Sequence, residues 1–162
     1  MRKTLLLLLF IIPTLLFSQS YDWLQYSPFL IGENQNDEFG RSVAISDDGS
    51  VLAIGATNND VNGDNSGHIR VFEDISGTWT QIGSDIDGLS TDNEFGMSVS
   101  LSADGSIVAA GTRGYHDQGY VKVFENISGS WNQIGNTIDG DNNYDYFGSS
   151  ISLNSDGTIL AI

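Results

Sequence analysis

One run of residues recurs three times along this chain and constrains its fold more than any other feature. Trp79, Gln81, Gly88, Phe95, Gly96, Ser98, Asp104 and Gly105 return at Trp131, Gln133, Gly140, Phe147, Gly148, Ser150, Asp156 and Gly157. An earlier copy supplies Trp23, Gln25, Gly32, Phe39, Gly40, Ser42, Asp48 and Gly49. Trp and Phe are 16 residues apart in every copy, while the copies are offset by 56 and then 52 residues. The four-residue difference falls in a single loop. A period of this length means that each copy is one supersecondary unit, which buries its apolar face only by stacking on a neighbour.

Within a copy the hydrophobic pattern is that of short strands. No helical periodicity of useful length follows Trp23, and brief apolar runs alternate with clusters of Gly, Asn, Asp and Ser. The sequence predicts strands at 42–46, 50–56, 68–73 and 78–83, with counterparts at 120–125 and 130–135. Asp47-Asp48-Gly49 is a hairpin signal that returns at Asp104-Gly105 and Asp156-Gly157. The Asp side chain caps its own turn, and Gly accepts a positive φ. Val51 to Ile54 and Ile107 to Ala110 are apolar without alternation, so this second strand is expected to be covered on both faces. Alternation returns in the third strand: Ile69, Val71, Val121 and Val123 share one side, and Arg70 and Lys122 the other. The Trp of the fourth strand is expected to close the packing between neighbouring sheets, with its indole nitrogen reaching a partner.

Four antiparallel strands per copy, with the inner ones doubly buried, is what a β-propeller blade requires. The expected fold is all-β, with propeller-like blades at 39–83 and 95–135 and a partial blade at 147–162. The segment 23–38 carries a lone fourth strand, the piece with which many propellers close their ring. The chain ends level with the middle of a second strand, giving about two and a half repeats where a propeller needs roughly 4–8 blades. That ending reads as a partial or truncated chain whose unpaired strand edge invites self-association. A non-functional remnant is one consequence to weigh.

Phe39-Gly40 followed by Gly55-Ala56, and Phe95-Gly96 followed by Gly111-Thr112, resemble the FG-GAP repeats of bacterial surface proteins and integrin α-chain propellers. Thr57 stands where the motif has Pro, and the second copy reads Gly111-Thr112-Arg113. The recurring Trp and Gln-Ile-Gly are also similar to secreted repeat proteins of gliding and marine Bacteroidetes. The resemblance covers residues 19–162 and implies an extracellular interaction or adhesion module.

The N-terminus agrees with export. Arg2 and Lys3 precede an apolar core from Leu5 to Phe17, and small residues follow, so 1–18 reads as a signal peptide cleaved after Ser18 or Ser20. The core is too short for a comfortable membrane span. Secretion or display at the cell surface is expected, with no membrane insertion after cleavage. Beyond the signal only Arg41, Arg70, Arg113 and Lys122 oppose 21 acidic side chains. Nucleic acid is excluded as a partner, because phosphate neutralisation needs clustered Lys and Arg. With no cysteine, the chain cannot use disulfides, and its stability must come from burial or from metal.

Two acidic loops are candidate calcium sites, calcium being the one cofactor the composition suggests. Asp139, Asp141, Asn143 and Asp145 place oxygens at alternate positions, the spacing by which tight loops collect the six or more hard ligands calcium takes. The Gly and distant Glu of an EF-hand are missing. The second set, Asp60, Asn62 and Asp64, follows from the resemblance, since integrin relatives bind calcium through an Asp-rich loop inside the blade. A solvated turn is the plainer reading of both. His68 occupies the position of Tyr120 in the next copy and reads as a packing residue, and His116 stands alone in a loop.

No catalytic set is found. There is no G-x-S-x-G nucleophile elbow, and the adjacent Asp-Gly pairs differ from sialidase Asp boxes, whose Asp and Gly are separated by one residue. Ser42, Ser98 and Ser150 repeat identically, which favours packing or hydrogen bonding over chemistry at one asymmetric site. The expected function is therefore binding to an extracellular protein or glycan without catalysis in this segment. The competing class is a propeller-based glycan-active enzyme whose catalytic residues lie in further blades.

Overall fold

The computed structural model describes residues 29–113 and 117–162. The signal segment, Trp23 with its lone strand up to residue 28, and His116 lie outside these residues. Every regular element described is a strand. Blade 1 contains β1 (Phe39–Ile45), β2 (Val51–Ala56), β3 (His68–Asp74), β4 (Trp79–Gln81) and β5 (Ile86–Asp87). They form one antiparallel sheet in the order β1-β2-β3-β4, with β5 also paired to β3. Blade 2 contains β6 (Ser98–Leu101), β7 (Ile107–Gly111), β8 (Tyr120–Ile127) and β9 (Ser130–Asp139), in consecutive order. A third blade begins with the hairpin of β10 (Ser152–Leu153) and β11 (Leu160–Ala161).

The Asp-Gly turns behave as the sequence predicts. Asp48 Oδ1 accepts from Ser50 N at 2.9 Å, Ser50 Oγ at 2.7 Å and Ser46 Oγ at 2.8 Å, and Gly49 follows at φ 76°. These donors favour the ionised carboxylate and hold the exposed Asp48 at a pKa of about 2. Asp104 and Asp156 are lowered for the same reason, by Ser102 with Ser106 and by Thr158. The second strands are covered as expected: Ala53, Ala56, Val108, Ala109 and Ala110 are fully buried.

The fourth strand departs from the sequence reading, which ends it at Gly83 and Gly135. In both blades the chain runs on and pairs again with the third strand, through Ile86↔Ile69 and His68↔Asp87 in blade 1 and Ile138↔Val121 and Tyr120↔Asp139 in blade 2. The glycines, at φ 70° and 69°, bend the strand without terminating it. The register shift between Val121 and Val123 absorbs the bend in blade 2.

The core lies between the blades. Ile69, Val71 and Ile86 of blade 1 cluster with Phe95, Val108, Ala110, Tyr120 and Phe124, and Phe95 stacks on Tyr120 with ring centroids 5.7 Å apart. The Phe-Gly and Gly-Ala elements meet at this seam. Ser42 Oγ donates to the Gly96 carbonyl at 2.6 Å, and Ser98 Oγ repeats the bond to Gly148 at 2.6 Å. The repeated serines therefore join each blade to the next. That approach leaves no space for a side chain on the facing strand: a Cβ at Gly55 would lie 2.0 Å from the Gly96 oxygen, and one at Gly111 would lie 2.1 Å from that of Gly148. The Trp finds its expected partner, with Trp131 Nε1 donating to the Ile82 carbonyl at 3.0 Å across the same seam.

Candidate functional site

The two acidic loops are placed apart and built differently. In the first, Asp60 Oδ1 accepts from Asn65 N at 2.8 Å, and Asn62 Nδ2 donates to the Gly88 carbonyl at 2.9 Å. Asp64 is exposed, and its backbone carbonyl receives Asp92 N at 2.8 Å. In the second, Asp139 closes β9, and Asp141, Asn143 and Asp145 are exposed. Asn142 Nδ2 donates to Asp145 Oδ2 at 3.0 Å. The position of Asp145 is a loop-folding one elsewhere. Its counterpart Asn93 is buried, accepting from Ser90 N at 3.0 Å and donating to Asp117 at 2.8 Å. Asp37, one copy earlier, is buried and accepts from Asn59 Nδ2 at 3.0 Å.

The side chains that do converge come from other positions. A cleft of about 380 Å³ opens between the end of the blade 1 fourth strand and the outer strands of blade 2. Ser84, Asp85 and Asp87 line one wall, and Lys122, Phe124, Ser130 and Trp131 the other. Lys122 does not face solvent: it is 9% exposed, its Nζ lies 5.8 Å from the Tyr120 ring centroid, and burial pushes its pKa down.

Beside this cleft sits a cluster that sequence reasoning missed. His68 opens β3 and lies opposite Asp87 in the sheet, so pairing sends both side chains to one face. The imidazole is 1% exposed, with Nδ1 3.5 Å from Asp85 Oδ2 and 4.0 Å from Asp87 Oδ1. Neither Nδ1 nor Asp87 Oδ1 has a hydrogen-bond partner among the described residues. Glu33 completes the group: one ligand atom from each of Glu33, His68 and Asp85 lies within 4.8 Å of the others. Burial, the largest influence, lowers the His68 pKa against the opposing pull of Asp85, Glu33 and Asp87. Burial likewise raises the Asp87 carboxyl, against the pull of His68. Asp85 is held from behind. Gln81 Nε2 donates to its Oδ1 at 2.6 Å, and Arg70 donates to Gln81 Oε1 through Nε at 2.8 Å and Nη2 at 2.7 Å. The guanidinium rests over Phe39 and Phe72 at 5.6 and 5.3 Å from their ring centroids.

The signal for this cluster is in the sequence as a departure from the repeat. Blade 2 keeps the scaffold glutamine as Gln133 but places Tyr120, Thr137 and Leu89 where blade 1 has His68, Asp85 and Glu33. There the pocket closes on itself: the Tyr120 hydroxyl accepts from Leu89 N at 3.0 Å, and Gln133 reaches Thr137 Oγ1 at 3.5 Å.

Residues 32–72 match the family model described as FG-GAP repeat. That segment spans the Phe39-Gly40 and Gly55-Ala56 elements, so blade 1 carries an FG-GAP-like repeat within an all-β fold of propeller-like blades. No curated protein matches it. Among solved structures, one titled "Complex of KlAtg21 with coiled-coil of AgAtg16" is similar at a TM-score of 0.48 and 17% identity. The match covers 74% of this chain and 35% of that one. Among the described residues no helix is long and apolar enough to cross a membrane.

Proposed function

We propose, from the FG-GAP repeat character of blade 1, that this chain belongs to an extracellular β-propeller module that binds a protein or glycan and carries out no catalysis in this segment. The observation that carries the reading is the division of labour between positions. Side chains repeated in every copy, such as Ser42 and Ser98, are consumed in joining blades. Side chains that differ between copies, Asp85 and Lys122 among them, collect around the interblade cleft. A cleft with two aromatic rings and a few charged and hydroxyl groups has the make-up of a recognition site.

The test is binding of the full chain to immobilised glycans and extracellular matrix proteins, compared with Ser84→Ala and Lys122→Ala. Retention that falls by tenfold or more in these variants, with no release of reducing ends from bound glycans, supports the reading. Retention indifferent to both substitutions refutes the cleft as the contact surface. Steady release of reducing ends identifies the chain as glycan-active and overturns the binding-only reading.

A further inference from the structure

We propose that Glu33, His68 and Asp85, with Asp87 as a fourth donor, form a site in blade 1 for one divalent metal ion of the zinc class. The inference is independent of any glycan or protein partner. It starts from the buried imidazole, which is 1% exposed and points Nδ1 at carboxylates that make no hydrogen bond to it. A buried polar atom left unpaired keeps its full desolvation penalty, so a side chain built this way calls for a partner. Asp87 Oδ1, also buried, lacks one too. A cation placed between Nδ1 and the carboxylate oxygens would satisfy both orphaned atoms at once.

The spacing suits such an ion. Zinc binds nitrogen and oxygen donors at about 2.0–2.2 Å, which puts neighbouring donors of a tetrahedron about 3.3–3.6 Å apart. His68 Nδ1 and Asp85 Oδ2 are 3.5 Å apart, within that range, while Asp87 Oδ1 is 4.0 Å from the same nitrogen and Glu33 lies within 4.8 Å of His68 and Asp85. A nitrogen donor with few oxygens favours zinc over calcium, which takes six or more oxygens. The Arg70–Gln81–Asp85 chain supplies the outer hydrogen bonds that orient a ligating carboxylate. Asp85 and Asp87 also line the open cleft, which gives the ion a route in. Finally, the set occurs in one copy only, whereas packing residues of this chain repeat.

The experiment is calorimetric titration of zinc into the full chain after treatment with chelator, repeated with cobalt to record its visible absorption. One saturable zinc site is expected, with cobalt bands of the intensity of low-coordinate geometry. Glu33→Gln removes an exposed ligand and should weaken binding by more than tenfold. Gln81→Met leaves every ligand in place and should weaken it about 10–100-fold by freeing Asp85. His68→Tyr with Asp85→Thr installs the residues of blade 2 and should abolish the site and its cobalt bands. If circular dichroism shows that this double variant does not fold, Glu33→Gln and Gln81→Met decide. Absence of saturable zinc binding overturns the proposal. So does zinc binding unchanged in those two variants, or a site that calcium fills in preference to zinc.

Discussion

Gly55→Ala tests whether the Phe-Gly and Gly-Ala elements work as an interblade joint. Gly55 is outside the positive-φ glycines, so its backbone is one that alanine adopts freely. On unfolded-state entropy alone the substitution would stabilise the chain by about 0.4–1 kcal/mol. The joint reverses the sign. The added methyl would lie 2.0 Å from the Gly96 oxygen, 2.9 Å from the Gly96 carbonyl carbon and 2.5 Å from Ser42 Oγ. Relief requires blade 2 to withdraw by more than 1 Å, since ordinary contact lies at about 3.5–4.0 Å. Overpacking of this kind costs about 1–3 kcal/mol. Withdrawal also breaks the 2.6 Å bond from Ser42 to Gly96, worth about 1 kcal/mol. Net destabilisation of about 1–3 kcal/mol is expected after the entropic gain, a fall in Tm of about 2–4 °C for each kcal/mol in a chain of this size. Urea and thermal unfolding followed by circular dichroism measure it. A Gly55→Ala chain as stable as the parent, or more stable, would refute the joint.

The remaining predictions bear on the same seam and on the turns. Ser42→Ala and Ser98→Ala should each cost about 1–3 kcal/mol, because the partner carbonyl loses its hydroxyl donor. Equal Tm values for parent and both variants would count against the serine joint. Trp131→Phe keeps an aromatic ring but removes the Nε1 bond to Ile82, for a loss of about 0.5–1.5 kcal/mol in urea unfolding. In acid, Asp48 is held at a pKa of about 2, below its ordinary value. Its contribution is complete above the unfolded pKa near 3.8 and declines as pH falls toward 2, and Asp104 and Asp156 act in the same direction. Unfolding midpoints between pH 5 and 2 should fall less steeply in Asp48→Asn, which keeps an acceptor without titrating; an unchanged slope would remove the turn from the acid response.

What was legible in the sequence follows the range of the interactions. Asp48-Gly49 and its two counterparts act within a few residues, so composition alone identifies the turns. The doubly covered second strand shows itself because Val51 to Ile54 and Ile107 to Ala110 admit no solvated face. The joining role of Ser42 and Ser98 is readable from repetition, although their acceptors are more than forty residues away. The continuation past Gly83 and Gly135 was not readable, since a positive-φ glycine looks the same in a bulge as at a strand end. Lys122 misleads for another reason: alternation puts it opposite Val121, but the neighbouring strands cover that face as well. The His68 cluster combines positions 33, 68, 85 and 87, whose proximity depends on β5 re-pairing with β3. Without that pairing His68 resembles only the substitute for Tyr120.

A repeat scaffold can therefore gain a site without building one. Each blade needs a side chain at the start of its third strand to fill the space beside the returning fourth strand, and a glutamine in the fourth strand to reach four residues onward. In blade 2 those places hold Tyr120, Gln133 and Thr137, and the tyrosine hydroxyl meets Leu89 N. In blade 1 the same backbone carries His68, Gln81 and Asp85, with Glu33 in place of the leucine. Three substitutions separate a self-satisfied packing pocket from a converging donor set. Because the glutamine already points at the position of Asp85, the outer support precedes the ligands it orients. The reverse exchange, Tyr120→His with Thr137→Asp and Leu89→Glu, should for the same reason create a second converging donor set in blade 2. Asp139 is already the counterpart of Asp87 there. Zinc stoichiometry rising from one to two in the full chain would show that the blade supplies the geometry. A stoichiometry that stays at one would mean that blade 1 holds its cluster through features the repeat does not share, with the Arg70 stack on Phe39 and Phe72 the first to examine.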